Sequence, residues 1–189
     1  MRVLVVDAYQ ANSVHGGLGG KVMQLLVSKG HVVEYLSLDR EEFAGFMTAA
    51  ERSAYESDEP LIAEETKHSA ALVRQADALL FVYPTTMFSV PPRLKSWLER
   101  VMVMGVAFIL DDNQRVRPGL KHVRRLGVVT TTPHTARATL AARDLGRRTF
   151  MRTLRLNCHP LCKRSFVRLH HQAPAGRIDD QLARSLRRW

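Results

Sequence analysis

"DALLFVYPTTMFSVPPRLKSWLERVM" spans residues 77–102. Its first seven residues are almost unbroken apolar, with β-branched and aromatic members, which predicts a strand buried on both faces. Pro84 ends the run, and a polar loop follows. Pro91 and Pro92 then open a helix whose Leu94, Trp97, Leu98 and Val101 fall on one stripe. Strand, loop and amphipathic helix in that order are half of a βαβ unit, so the neighbouring segments should repeat the pattern.

They do. Runs near 2–7 (RVLVVD), 31–38 (HVVEYLSL), 123–130 (VRRLGVVT) and 163–170 (KRSFVRLH) read as further strands. Leu18, Val22, Leu25 and Leu26 share one face of a helix that Gly30 ends. "FMTAAERSAY" (46–55), "IAEETKHSAALVRQA" (62–76) and "RRTFMRTLRL" (147–156) supply other helical segments, the last with a basic outer face. "FILDDNQRVRPG" (108–119) predicts a small hairpin turning at its Asp-Asp-Asn. Alternating strands and helices imply an α/β fold with a five-stranded, doubly wound parallel sheet covered on both faces. No internal repeat or linker interrupts it, so residues 1–189 are expected to form a single domain.

The chain has 189 residues, 46% of them apolar, enough for a sizeable core. No apolar stretch reaches membrane-spanning length and no signal-peptide pattern opens the chain, so no membrane insertion is expected. Cys158 and Cys162 are the two cysteines, which suits a reducing cytoplasm rather than a disulfide framework. The net charge of +10 is lopsided: residues 1–112 carry 10 Lys/Arg against 15 Asp/Glu, and residues 113–189 carry 18 against 3. The arginines lie scattered without aromatic interleaving or a nucleic-acid motif, so nucleic acid is not the expected partner.

Doubly wound sheets bind ligands beyond the carboxyl ends of their strands. In the order 2-1-3-4-5 those ends carry "AYQANSVHGG", "PTTMFSVPP" and "TTTPHTAR". The first runs into a Gly-rich turn, with Gly16, Gly17, Gly19 and Gly20 within five residues. Such a turn into a helix suits a phosphate, or else lets the helix pack closely on the sheet. It is neither a P-loop, since His15 and Val22 stand where Gly and a hydroxyl are needed, nor the dinucleotide G-x-G-x-x-G.

Tyr83-Pro84, Phe88, Val90-Pro91, Leu94-Lys95, Trp97 and Glu99-Arg100-Val101 together resemble the flavodoxin-like NAD(P)H:quinone oxidoreductases, and "RLGVVTTTPHT" resembles that family's second flavin loop. The resemblance implies a flavodoxin-like fold. It also implies a flavoenzyme that carries a hydride from NAD(P)H to a quinone-like acceptor by a two-electron ping-pong route. FMN stands ahead of FAD because no segment stands out as an adenylate site, although the family uses both. By the same resemblance Ser13 holds the phosphate, with Tyr9, Val14 and His15 beside it. Pro84, Thr85, Thr86, Met87 and Phe88 form one wall for the ring, and Thr130, Thr131, Thr132 and Pro133 the other. Tyr9 stands where the family has His, Thr85-Thr86-Met87 replace an aromatic, and Pro133 replaces a Gly. A homodimer that closes the site is implied as well. So is a second role found among relatives, an ancillary subunit of a potassium-efflux transporter.

His134 and Tyr83 are the catalytic candidates. His134 could protonate a reduced quinone oxygen or stabilise an anionic flavin, or be a plain loop histidine. Tyr83 could serve the flavin loop or fill the core. Cys158-His159-Pro160-Leu161-Cys162 has too few ligands for zinc and the wrong spacing for a redox pair, so no metal is expected.

Overall fold

The computed structural model describes residues 1–40, 45–55, 61–187 and 189. Five strands, β1 (Arg2–Asp7), β2 (Val32–Ser37), β3 (Ala78–Pro84), β6 (Arg125–Thr132) and β7 (Lys163–His170), lie in the order β2-β1-β3-β6-β7. Every pairing among them is parallel. This is the flavodoxin-like order read from the sequence. Between β3 and β6 a short antiparallel hairpin, β4 (Phe108–Leu110) and β5 (Val116–Pro118), sits where "FILDDNQRVRPG" predicts it. Asp111 closes its turn by accepting the N–H groups of Asn113 and Arg115.

The helices are α1 (Leu18–Val27), α2 (Ala49–Ala54), α3 (Glu64–Gln75), α4 (Pro92–Val101), α5 (Ala136–Ala141), α6 (Leu145–Arg148) and α7 (Ala175–Ser185). Three differences from the sequence expectation have local causes. β6 begins and ends two residues later than 123–130. Val123 is held in a turn by its N–H bond to Leu120, while Thr131 and Thr132 pair with Leu169 and His170. The segment expected as one helix over 147–156 is instead α6, a π-helical turn over Thr149–Thr153 and a 3₁₀ turn over Leu154–Asn157. α5 and α7 lie outside the predicted segments: α5 is a short helix capped by Thr135, and α7 buries Ile178 and Leu182, spaced four apart, on an otherwise polar segment. Among the described residues no helix is long and apolar enough to cross a membrane.

β3 is central and every side chain from Ala78 to Tyr83 is buried. Strand alternation sends Leu79, Phe81 and Tyr83 into one core with Leu94, Trp97, Val101 and Phe150. Ala78, Leu80 and Val82 enter the other, with α1 and α7. Phe81 stacks on Phe150 at 4.4 Å between centroids and meets Trp97 edge-on at 6.1 Å. The Trp97 indole N–H donates to Ser69 at 2.9 Å, so the large ring is buried without an unpaired donor.

Under that core lies a buried ion pair. Arg100 Nε donates to Glu51 Oε1 at 2.8 Å, and the same guanidinium also meets Glu65. Arg100 and Glu51 side chains are 1% and 4% exposed. Glu51 is fixed besides by a capping box with Thr48 at the start of α2. Burial by itself would push the Glu51 carboxyl up, but the Arg100 and Thr48 bonds outweigh it and hold it below the usual carboxylate range.

The glycine-rich turn is explained by close packing at two positions. A Cβ at Gly19 would lie 2.0 Å from Asp7 Oδ2, and one at Gly16 2.4 Å from the Ala11 carbonyl oxygen. Gly17 and Gly20 face nothing within 4 Å. Asp7 is therefore turned under the first turn of α1, where it is buried and accepts Tyr9 N–H at 2.9 Å and the Tyr35 hydroxyl at 2.5 Å. Burial pushes its carboxyl above the usual range despite those two bonds.

Gly19→Ala is expected to destabilise the protein by more than about 2 kcal/mol, whereas Gly20→Ala, inside the same helix, should stabilise by about 0.5–1 kcal/mol. Urea melts of the two variants check this, and equal effects would refute the close approach of Asp7. Arg100→Met should cost about 3–5 kcal/mol at pH 7 by leaving Glu51 buried and uncompensated. Because the Glu51 pKa is lowered on folding, its stabilising contribution is complete above the unfolded value of 4.5 and is lost as pH falls through the folded value. The penalty of Arg100→Met should therefore shrink in melts at acid pH.

Candidate functional site

The carboxyl ends of β1, β3 and β6 surround a cleft of about 600 Å³ at the point where the strand order reverses. Its base is tied by Tyr9. That side chain is buried; its hydroxyl lies 2.7 Å from Thr131 Oγ1 and accepts the Thr131 N–H at 3.2 Å. Burial pushes the Tyr9 phenol far up, so it stays neutral. One side chain thus joins the loop after β1 to the end of β6, passing over β3.

The turn after β1 forms the first wall. Ser13 N–H and Ser13 Oγ both donate to the Gln10 carbonyl, at 3.0 and 2.7 Å, and Gly16 N–H returns to Ser13 O at 2.9 Å. Ala11 N–H donates to Asp39, a residue just beyond the carboxyl end of β2. His15 Nε2 donates to the His171 carbonyl at 2.8 Å, fastening the turn to the loop after β7. The backbone N–H groups of Asn12, Val14 and His15 donate to no group among the described residues. A turn with several unengaged N–H groups is a concavity suited to an anion.

The second wall comes from β3 and β6. Thr85 N–H donates to Thr131 O at 2.8 Å, and the Thr85 and Thr130 hydroxyls meet at 2.8 Å. Pro84, Thr85, Thr131 and Pro133 line the cleft, as do Tyr9, Ser13, Val14 and His15. Eight of the residues singled out in the sequence therefore face one space. Thr130 and Thr132 lie buried beside it, and Thr132 Oγ1 accepts the His134 N–H at 3.2 Å.

The rest are placed elsewhere. Thr86 and Ser89 exchange backbone hydrogen bonds at 3.0 and 2.8 Å, closing a tight turn with Met87 (φ 46°) and Phe88 (φ 59°) at its centre. Both central residues sit in the left-handed region without being glycine, a conformation that costs free energy and has to be held by its surroundings. Phe88 is held by His134, whose ring stacks on it at 4.0 Å and 22°, and by the Gly146 N–H that donates to the Phe88 carbonyl. Met87 points to solvent, 85% exposed. Thr86, Met87, Phe88 and His134 form a tongue beside the cleft, while Pro84 and Thr85, the first two residues of the expected wall, line it. Tyr83 does not reach the cleft. It is buried against Phe150 at 5.6 Å, with its hydroxyl close to Gly146.

Asp39, Arg93 and His171 line the cleft without having been singled out. Two of them follow the carboxyl ends of β2 and β7, and Arg93 opens α4 directly after Pro91-Pro92. Topological position was the signal that could have found them.

Comparison with known proteins agrees with this geometry. A family model described as flavodoxin-like fold matches residues 1–147. A ribosyldihydronicotinamide dehydrogenase-like protein of Penicillium crustosum is 27% identical over 136 residues, covering 63% of this chain and 50% of that protein. An ancillary protein of the glutathione-regulated potassium-efflux system of Salmonella gallinarum is 38% identical over 52 residues, covering 28% of each. The chain spans half the length or less of these curated relatives. Among solved structures, an NAD(P)H:quinone oxidoreductase from Methanothermobacter marburgensis superposes with a TM-score of 0.77 at 20% identity, covering 99% of this chain and 96% of that one. An FMN-dependent NADH-azoreductase from Bacillus anthracis, in complex with FMN, superposes at 0.70 with 15% identity, covering 97% and 94%. The strand order, the cleft at its reversal and a family model matched over most of the length lead to one conclusion: the chain belongs to the flavodoxin-like fold family.

Proposed function

We propose that the protein is a cytoplasmic FMN-dependent oxidoreductase that takes electrons from NAD(P)H and passes them to a quinone-like acceptor. The observation that carries this reading is the turn at residues 10–16, where Val14 and His15, both with unengaged backbone N–H groups, line a cleft at the sheet's switch point, and the unengaged N–H of Asn12 lies in the same turn. A flavin phosphate suits those donors, and the proline-walled remainder suits a flat ring. The names of relatives and structural neighbours, which include quinone oxidoreductases and an FMN-dependent azoreductase, support the same reading.

In this reading Asn12, Val14, His15 and Ser13 hold the phosphate, and Pro84, Thr85, Thr131 and Pro133 flank the ring. A bound flavin supplies a two-electron hydride relay that no side chain can supply. The chain's own work is to bind, orient and exclude water. Pro84, Pro91, Pro92 and Pro133 contribute walls with few conformations to freeze and no N–H to leave unpaired. Tyr9 and Thr131 hold the two walls at a fixed separation. Arg93 places a positive charge at the cleft. His134, stacked beside it, is the side chain best placed to give a proton to a reduced acceptor entering from the rim. Tyr83, neutral and buried, takes no part. A second copy of the chain completes the outer side of the ring site.

One observation favours a second reading. Thr85 N–H is taken by Thr131 and His134 N–H by Thr132, and Pro133 has none, so the ring wall offers few backbone donors. A protein of this kind could instead serve as an ancillary subunit, the role named in the Salmonella relative.

Added FMN should bind with a shifted, partly quenched flavin spectrum. Ser13→Ala should weaken it only about threefold to thirtyfold: a charge-assisted bond is worth about 1.5–3 kcal/mol, but the hydroxyl gives up about 1 kcal/mol of bonding to Gln10. Riboflavin, lacking the phosphate, should not distinguish the two proteins, and equal losses for both flavins would move the phosphate elsewhere.

Steady-state rates with NAD(P)H and a benzoquinone varied together should give parallel double-reciprocal lines, from a sample whose light-scattering mass is that of two chains. Intersecting lines would mean that donor and acceptor bind at once. Flavin reduction slower than about 0.01 per second, against the usual 1–1,000 for enzymes, would support the ancillary role instead.

A further inference from the structure

We infer that the protein has a second ligand site, a phosphate-binding pocket for a nucleotide, formed by Arg143, Arg147, Arg148, Arg152, Arg164 and Arg168. These six side chains line one concavity of about 840 Å³ between the outer face of β7 and the helical segment from α5 to the π-helical turn. It is distinct from the cleft and shares no lining residue with it.

Regular spacing gathers the charges. Along β7, Arg164, Phe166 and Arg168 alternate onto one side of the sheet. Arg148 and Arg152, four residues apart on the continuous helical backbone of α6 and the π-helical turn, fall close together, and Arg143 reaches the pocket from the turn that precedes α6. Arg147 and Arg168 both lie over the Phe166 ring, at 5.7 and 5.5 Å, which orients two guanidinium planes. The single carboxylate lining the pocket, Asp144, is already committed: Oδ2 pairs with Arg168 and Oδ1 accepts the Arg147 backbone N–H at 2.9 Å. The guanidinium groups of Arg143, Arg148 and Arg152 make no ion pair or hydrogen bond among the described residues. Arg143 and Asp144 hold φ of 59° and 38°, so the backbone at the pocket's edge is kept in a costly conformation.

An ordinary solvated face mixes Lys with Arg and intersperses acids. Here every cation is Arg, the fork that grips phosphate oxygens in pairs. The charges converge on a cavity of small-molecule size rather than running in a stripe, which selects a compact polyanion over nucleic acid. Leu140 and Met151 add apolar surface suited to a base. Two sources share this chemistry: a separate nucleotide, or the 2′-phosphate of NADPH. The second rests on the proposed function; the pocket itself does not.

Calorimetric titration of the purified protein with pyrophosphate, ADP and adenosine 2′,5′-bisphosphate tests the site. At least one probe should saturate at or below about 1 mM at low salt. Arg148→Ser with Arg152→Ser, both exposed positions, should raise its Kd at least about tenfold. The paired Lys substitutions should recover part of the loss, since charge returns without the fork. Tighter binding of the bisphosphate than of ADP, with a raised KM for NADPH and an unchanged one for NADH in the Ser variant, identifies the donor's 2′-phosphate. Equal binding of ADP and the bisphosphate, with both KM values unchanged, identifies a separate nucleotide. No saturation by any probe up to about 10 mM, or the same Kd in the folded Ser variant, overturns the pocket. FMN titration of the same samples reads the cleft independently, so either site can fail alone.

Discussion

The two hydrogen bonds between Tyr9 and Thr131 set the shape on which the cleft depends. β1 and β6 are not neighbours; β3 separates them. The loops beyond their ends are free to splay unless something crosses β3, and the Tyr9 side chain does so while staying in the core. The alignment begins one step earlier, because Asp7 accepts the Tyr9 N–H and is itself fixed by Tyr35 and by the bare backbone of Gly19. Asp7, Gly19, Tyr9 and Thr131 are thus one chain of contacts from the first turn of α1 to the far wall of the cleft. Its members are buried, so water does not compete for these bonds.

Such an arrangement explains why the fold could be read so fully from residue types. The run from Ala78 to Tyr83 has no polar face, so it had to be covered on both sides, and the stripe Leu94, Trp97, Val101 supplies one cover. What escaped were features set by contacts distant in sequence. Nothing local says that Thr131 and Thr132 belong to a strand; their pairing with Leu169 and His170 decides it. The π-helical turn over Thr149–Thr153 lets Phe150 and Met151 be buried where a uniform helix would follow a different spacing. Eight of the residues singled out for the cleft line it because they lie at or just beyond the carboxyl ends of strands, a position that topology dictates. Phe88 and His134 share that origin yet stack on each other at its side.

The lopsided charge of the chain has a matching spatial logic. The acidic first part contributes Glu51 and Glu65, which surround Arg100 in the core, and Asp7 and Asp39, which brace the first turn by accepting backbone N–H groups. These carboxylates are consumed by structure. The basic second part has few acids to consume its arginines, and Asp144 satisfies one guanidinium in its pocket. Charges paired inside contribute little field outside.

The Met87–Phe88 turn connects these two regions. Left-handed backbone at two successive non-glycine residues persists only if other contacts hold it, and both holding contacts come from the segment after β6: the His134 ring and the Gly146 N–H. Gly146 lies between Asp144 and Arg147, at the pocket's edge. One backbone hydrogen bond of 3.2 Å, from Gly146 N–H to the Phe88 carbonyl, thus joins the segment that carries Asp144 and Arg147 to the tongue beside the cleft. Glycine is required at that position, since a Cβ there would lie 2.8 Å from the Tyr83 hydroxyl. Tyr83, excluded from the cleft, thereby fixes how closely the arginine-bearing segment can approach it.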